Sequence, residues 1–290
     1  MAQLGSAPAL GAGGRRFESC LPDHGSVPKW PKGSDCKSDG SAFVCSNHTA
    51  STNLGNMMKI LNSNIKAENY IQQYKNAQPF ENIIIDNFLD EDLANNIAEY
   101  LEAVDISDWY HNPSQEQVNK WWMPDLERLN ASTSQVLDWF NGQESIEFFQ
   151  NLTGVGDLIP DSEYMGGGVH ITTSGGSLDV HADFNFHPNL DAHRRLNALL
   201  FLNKNWDHDW GGQLQLWDKK LIEPQKIIEP IFNRLVLFNV TDEHFHGFPD
   251  PIKCPPNRRR LSLALYYYTK ERPEYEKNPF HWVLWKNTKK

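Results

Sequence analysis

Past residue 166 the chain breaks into short β-branched and aromatic runs divided by turn residues: 169–173, 178–183, 196–202, 213–217, 226–229, 234–240 and 261–269. Runs of this length and spacing predict seven or eight strands. In the last of them Leu261, Leu263 and Leu265 alternate with Ser262, Ala264 and Tyr266, giving one apolar and one more polar face. No helical period separates the strands, which disfavours a parallel α/β sheet and predicts a sandwich or jelly roll. Upstream, Asn82-Ile83-Ile84-Ile85-Asp86 reads as a buried strand. Asp90-Glu91-Asp92 then opens a helix through Leu101, with acidic residues where the helix dipole favours them. A helix is expected over 58–73, where Ile60, Leu61, Ile65 and Tyr70 recur at near-helical spacing. Two or three more are expected over 114–152, burying Trp121, Leu126, Val136, Trp139, Ile146 and Phe149. The expected class is mainly β with flanking helices: a support region at 57–165 and a β core at 166–290, together one domain.

Chemistry concentrates in that β core. His181-Ala182-Asp183 puts two metal-capable side chains on one strand face, since residues i and i+2 project the same way. By itself such a triplet is weak. Further on, His246 opens His246-Gly247-Phe248-Pro249, and Arg260-Leu261-Ser262 begins the next strand. Two histidines and one carboxylate leave non-haem Fe(II) open positions for a chelating co-substrate and O2. A guanidinium with a hydroxyl two residues on suits a buried carboxylate.

These blocks carry a resemblance. From about residue 80 to 273 the sequence resembles the prolyl 4-hydroxylase-like branch of the Fe(II)/2-oxoglutarate dioxygenase superfamily. The matching stretches include Ile84-Ile85-Asp86-Asn87-Phe88-Leu89, Gly175-Gly176-Ser177-Leu178-Asp179-Val180-His181-Ala182-Asp183-Phe184-Asn185, Arg194-Arg195-Leu196-Asn197, Trp210-Gly211-Gly212, His246-Gly247-Phe248-Pro249 and Arg260-Leu261-Ser262-Leu263-Ala264-Leu265. The resemblance implies a double-stranded β-helix core, iron held by His181, Asp183 and His246, and the far carboxylate of 2-oxoglutarate held by Arg260 and Ser262. It also implies hydroxylation of a C–H bond with release of succinate and CO2, using Fe(2+), 2-oxoglutarate and O2, with ascorbate a further candidate. Arginine stands at the anchor where some members carry lysine. Peptidyl proline is the leading substrate suggestion, and a free amino acid or other small molecule the runner-up. Two other classes remain: a zinc hydrolase, because two histidines and an aspartate also hold zinc, and a non-catalytic jelly-roll binding module.

Other residues receive plainer readings. His187, His193 and His208 fall in loops or at strand ends without a partner motif, and His244 is the rival to His246, disfavoured because Gly247 and Pro249 complete the family block. His170 is read as structural, with contact to the co-substrate the alternative. Arg258 and Arg259 are read as surface charges, Trp206, Trp210 and Trp217 as packing, and Gly211-Gly212 as a simple turn.

A formal net charge of −10 and a pI near 5.5 disfavour a nucleic acid or an anionic membrane as the main partner. No apolar run is long enough to span a bilayer, so no membrane insertion is expected. Arg15-Arg16-Phe17 hints at twin-arginine export, yet the polar stretch 18–31 lacks an apolar segment. Of the cysteines at 20, 36, 45 and 254 only Cys254 lies in the patterned region, so no disulfide framework and a cytoplasmic location are expected. Oligomeric state has no signature.

Residues 1–56 are rich in Gly, Ser, Ala and Pro without period and are expected to be disordered. Arg16-Phe17-Glu18-Ser19 is what the T-loop of a transfer-RNA gene gives when translated, and Val44-Cys45-Ser46-Asn47 fits a second. Ser34-Asp35-Cys36-Lys37-Ser38-Asp39 can be encoded by a self-complementary stem around a cysteine anticodon loop. The segment is therefore expected to be translated transfer-RNA sequence ahead of a true start at Met57 or Met58. The sequon Asn47-His48-Thr49 then carries no meaning. The encoding DNA must contain the cloverleaf; its absence removes the reading.

Overall fold

The computed structural model describes residues 59–286 and 288. The expectations for 1–56 and for a start at Met57 or Met58 lie outside the described residues. In chain order the elements are α1 (Ile71–Lys75), β1 (Asn82–Asp86), α2 (Glu91–Ala103), β2 (Tyr110–His111), β3 (Gln117–Met123), α3 (Ala131–Phe140), α4 (Gln143–Thr153), β4 (Ile159–Pro160) and β5 (Gly168–Ala182). They continue with β6 (Phe186–His187), β7 (Ala192–Phe201), β8 (Leu214–Trp217), β9 (Lys226–Ile228), β10 (Arg234–Asn239), β11 (Phe245–Phe248), β12 (Arg260–Thr269) and β13 (Leu284–Trp285). The mainly β class with flanking helices is what the chain adopts.

The strands pair antiparallel along the path β1-β10-β7-β12-β5-β11-β8-β9. Strand alternation divides the two faces. Leu261, Leu263, Leu265 and Tyr267 of β12, with Leu196, Ala198 and Leu200 of β7 and Leu235 and Leu237 of β10, form one buried cluster with the helices. Helix α2 joins that cluster through Leu93, Ala94, Ile97, Ala98 and Leu101, a stripe at helical spacing. Asp90 caps it by accepting from the backbone N–H groups of Asp92 and Leu93. Ser262 and Tyr266, on the other face of β12, line a cavity instead. The more polar face seen in sequence is the inner one.

Three local expectations are corrected. Two helices, α3 and α4, do form within 114–153, but the segment opens with strand β3 and Trp121 lies on it: Trp121 pairs with Ile171 and Trp122 with His170, and two adjacent indoles favour a pleated surface. Of the expected helix over 58–73, among the described residues 59–73 only a 3-10 turn at Ala67–Asn69 and the start of α1 are helical, while Leu61 bridges Leu89 in extended form. The runs 169–173 and 178–183 are not two full strands: residues 168–182 form the single strand β5, and Asp183 follows its end. Ser174-Gly175-Gly176 makes a bulge in it, not a hairpin. A Cβ on Gly176 would lie 2.3 Å from the Thr172 side chain, so only glycine permits this fold-back. Arg258 and Arg259 are also less exposed than expected. Arg258 pairs with Glu102 at 3.3 Å, and Arg259 donates to the Val104 carbonyl at 2.7 Å, so both tie the approach to β12 against the end of α2.

No helix among the described residues is long and apolar enough to cross a membrane. Between β1 and β10, buried Asn233 accepts from Leu89 N–H and donates to the Leu89 carbonyl, both at 2.9 Å. Asn233→Ala strands both backbone groups away from water. It should cost about 2–4 kcal/mol, read as a lower denaturation midpoint; an unchanged midpoint would show that water replaces the amide.

Candidate metal and co-substrate site

The antiparallel register of β5 and β11 sets His246 directly opposite His181. Cross-strand partners share a face, so two residues far apart in sequence present their imidazoles side by side, ring centroids 4.4 Å apart. Gly247 is part of this arrangement. A Cβ there would lie 2.8 Å from the Leu178 carbonyl oxygen and 2.9 Å from that of Asp179, so β11 needs glycine to approach the irregular part of β5. Asp183 reaches between the two rings, with Oδ1 3.7 Å from His181 Nε2 and Oδ2 3.6 Å from His246 Nε2. Both gaps exceed a hydrogen bond. One ligand atom from each residue lies within 4.8 Å of the others, and all three side chains are buried.

The protonation states suit a cation. His181 Nδ1–H donates to the Asp179 carbonyl at 2.9 Å, which leaves the Nε2 lone pair facing Asp183. Burial, followed by the neighbouring His181, pulls the His246 imidazole down to about 3, and burial lowers His181 as well. Burial works to raise the Asp183 carboxyl, but Arg194, His246 and His181 together outweigh it and hold the group below the usual carboxylate range. Two neutral imidazoles and one carboxylate are the deprotonated forms that metal ligation requires.

Arg194 and Asn197 hold Asp183. Asn197 donates to Asp183 Oδ2 at 2.7 Å, and Arg194 lies 3.2 Å from the same oxygen while donating twice to Asn197 Oδ1. The guanidinium is sandwiched between Tyr266 at 3.5 Å and Phe184 at 4.5 Å. Positions three apart on a regular strand face opposite ways. Here the β7–β12 register shifts between Tyr267 and Tyr268, and the bulge turns Arg194 and Asn197 to the same side. The sequence contains the block, but nothing in its spacing announces that bulge.

A cavity of about 240 Å³ extends from the triad to Arg260 and Ser262. Arg260 is buried, donates from Nε to the Gly212 carbonyl at 2.7 Å, and lies over Phe248 and Phe201. Among the described residues no carboxylate pairs with it, and burial pulls it down to about 9. A buried cation without a counter-ion is a site for an anion. Gly212, read from sequence as a simple turn, has φ +75° and would place a Cβ 3.1 Å from Arg260 Cδ, so it makes room for the anchor. The cavity's outer wall is β13. Leu284 and Trp285 pair with Ala182 and His181, and the Trp285 ring lies 4.9 Å from that of His181. Asn185 ties the approach down by donating to the Pro279 carbonyl and accepting from His281 N–H.

Four other histidines weighed in the sequence lie away from the triad. His244 stacks on Phe80 and bonds the Asn239 carbonyl, His187 faces Asp161, His193 meets Phe186, and exposed His208 pairs with half-buried Glu229. His170 lines the cavity while bonding the Gly166 carbonyl, which combines the structural reading with contact to whatever the cavity holds. Trp206 and Trp217 are buried packing residues.

Residues 167–268 match the family model described as the 2OG-Fe(II) oxygenase superfamily. A mouse protein described as prolyl 3-hydroxylase OGFOD1 is 33% identical over 79 residues, 26% of this chain; the match spans only 14% of that protein. Among solved structures, a prolyl hydroxylase from Trichoplax adhaerens in complex with a hypoxia-inducible-factor peptide fragment aligns at TM-score 0.51 and 21% identity, over 70% of this chain and 89% of that one. That likeness carries the jelly-roll fold. A Pseudomonas putida prolyl-4-hydroxylase aligns at TM-score 0.48 and 19% identity, over 70% and 98%.

Substitution of Gly247 tests how the register governs the triad. Gly247→Ala should push β11 off β5 and weaken divalent-metal affinity about 10–100-fold, the range for lost support of a ligand, measured by Mn(II) titration. Wild-type affinity in a folded variant would show that the close approach is not needed.

Proposed function

We propose that this chain, whose residues 167–268 match the 2OG-Fe(II) oxygenase superfamily model, is an Fe(II)- and 2-oxoglutarate-dependent dioxygenase that hydroxylates a C–H bond, with a prolyl residue the leading substrate, and releases succinate and CO2. One observation carries the reading. A buried His181–Asp183–His246 cluster and a buried, unpaired Arg260 with Ser262 face a single cavity. A zinc hydrolase would have no use for the second half of that arrangement. The donor set fits ferrous iron, since two imidazoles and a carboxylate leave positions open for a bidentate oxoacid and O2.

Bound there, iron with 2-oxoglutarate supplies the oxidising power for attack on an unactivated C–H bond. The chain's own residues supply placement. His181, with Nδ1 fixed by the Asp179 carbonyl, and His246, set by the strand register, orient two nitrogens; Arg194 and Asn197 keep Asp183 ionised and in position. Arg260 and Ser262 receive the oxoacid's far carboxylate, whose charge compensates the buried guanidinium. Trp122, Tyr266 and Trp285 supply aromatic surface to the cavity wall. The prolyl assignment draws on the mouse and Trichoplax relatives, both described as prolyl hydroxylases. The runner-up substrate is a free amino acid or other small molecule, and ascorbate is a further reductant candidate.

Anaerobic reconstitution with Fe(II), followed by a screen of prolyl peptides and metabolites, should reveal substrate-dependent succinate formation; zinc activity without 2-oxoglutarate would replace this reading. Arg260→Ala should lower 2-oxoglutarate affinity by roughly two to three and a half decades, corresponding to about 3–5 kcal/mol for a buried charge left unpaired. Normal binding would remove Arg260 from the anchor. His181→Ala and Asp183→Ala should each abolish turnover and iron binding, and activity in both would end the metal assignment.

A further inference from the structure

Three cations line the cavity: Arg194, Arg260 and Lys120. Arg194 is committed to Asp183. Lys120 donates to Gln117 Oε1 at 3.2 Å and forms no ion pair among the described residues. It lies on β3, upstream of the segment that matches the family model.

The sheet register places it. Thr172 of β5 is paired on one side with Lys120 of β3 and on the other with Arg260 of β12. The adjacent row is Trp122, His170 and Ser262. Directly paired residues project to one face, so Lys120, Thr172 and Arg260 stand in a line across three strands and all face the cavity. Two inter-strand steps put the backbones of Lys120 and Arg260 about 10 Å apart, a gap that two long side chains close from opposite sides. The aim of Lys120 is built in. Asn119 has φ +47°, the β3–β5 register shifts between Val118 and Lys120, and Asn119 Nδ2 donates to the Ser174 carbonyl at 3.0 Å. This bulge turns the lysine inward. Burial pulls the ammonium down to about 8 against the opposing field of Asp183, as for a charge that lacks its counter-ion.

Resting on the co-substrate reading above, we propose that Lys120 is the second cation of the anchor and shares the oxoacid's far carboxylate with Arg260 across Thr172. The alternative is a lysine whose stem packs against the cavity wall while its charge stays hydrated. A ligand lacking the far carboxylate separates the two.

The experiment is calorimetric titration of the Mn(II)-loaded protein, without oxygen, with 2-oxoglutarate and with 2-oxobutyrate, which has no second carboxylate. Lys120→Gln should weaken 2-oxoglutarate about 10–30-fold, as for loss of a charge-assisted hydrogen bond, and leave 2-oxobutyrate unchanged. Lys120→Arg should retain most of the affinity. A readout without substitution is reductive methylation of Lys120 followed by mass spectrometry: 2-oxoglutarate should protect the amine and 2-oxobutyrate should not. Equal weakening of both oxoacids, unchanged 2-oxoglutarate binding, or equal labelling with either oxoacid overturns the proposal. In that event Arg260→Ala tells the two failures apart. If it still abolishes the preference for 2-oxoglutarate, only the lysine is misassigned; if it does not, the co-substrate reading fails as well.

Discussion

The site depends on one strand pairing. β11 lies against β5 so closely that only glycine fits at position 247, and that contact sets His246 across from His181. Asp183, immediately past the end of β5, then has two imidazoles to face. Cavity walls are assembled on the same strand. The first half of β5 carries His170 and Thr172 between β3 and β12, and its second half lies between β11 and β13. A slip of one residue would turn His246 away from the cavity. The bulge and the glycines fix the register because each occupies a conformation that a neighbouring residue could not adopt.

Electrostatics impose the complementary constraint. Burying Asp183, Arg194 and Arg260 around a small cavity is costly unless each charge finds a partner. Asp183 is answered by Arg194, which is itself held by Asn197 and two aromatic faces. That internal pair keeps the carboxylate ionised before anything binds. Arg260 has only a carbonyl and two phenyl faces among the described residues. The cavity thus has a self-compensated end, where a metal fits, and a positive end, where an anion fits. A dicarboxylic oxoacid matches both along one molecule.

Much of this was legible in sequence, and the rest was hidden for identifiable reasons. Alternation in residues 261–269 predicted both the strand and its two unlike faces, because period-two patterning follows directly from strand geometry; which face lines the cavity came from the structure. The placement of His181, Asp183 and His246 around one point is what the motif order suggested, and the structure brings them together. Bulges erased the remainder. Arg194 and Asn197, three apart, face one way only because β7 is irregular, and Lys120 faces inward only because β3 is irregular at Asn119. Trp121 was read as a helical core position because an apolar residue fits either period until its partner strand is known. Gly212 gave no hint that it makes room for an arginine far along the chain.

The strand β13 has a consequence for how the cavity comes into being. Leu284 and Trp285 lie well downstream of His246 and Arg260, yet they complete the wall beside His181. As the chain is synthesised, every candidate ligand emerges before the segment that shelters it. A nascent chain halted ahead of residue 284 would present the ligand cluster with one side open to bulk water. Sheltering of the metal position is therefore a late event in the life of the polypeptide, imposed by the order in which its residues are joined.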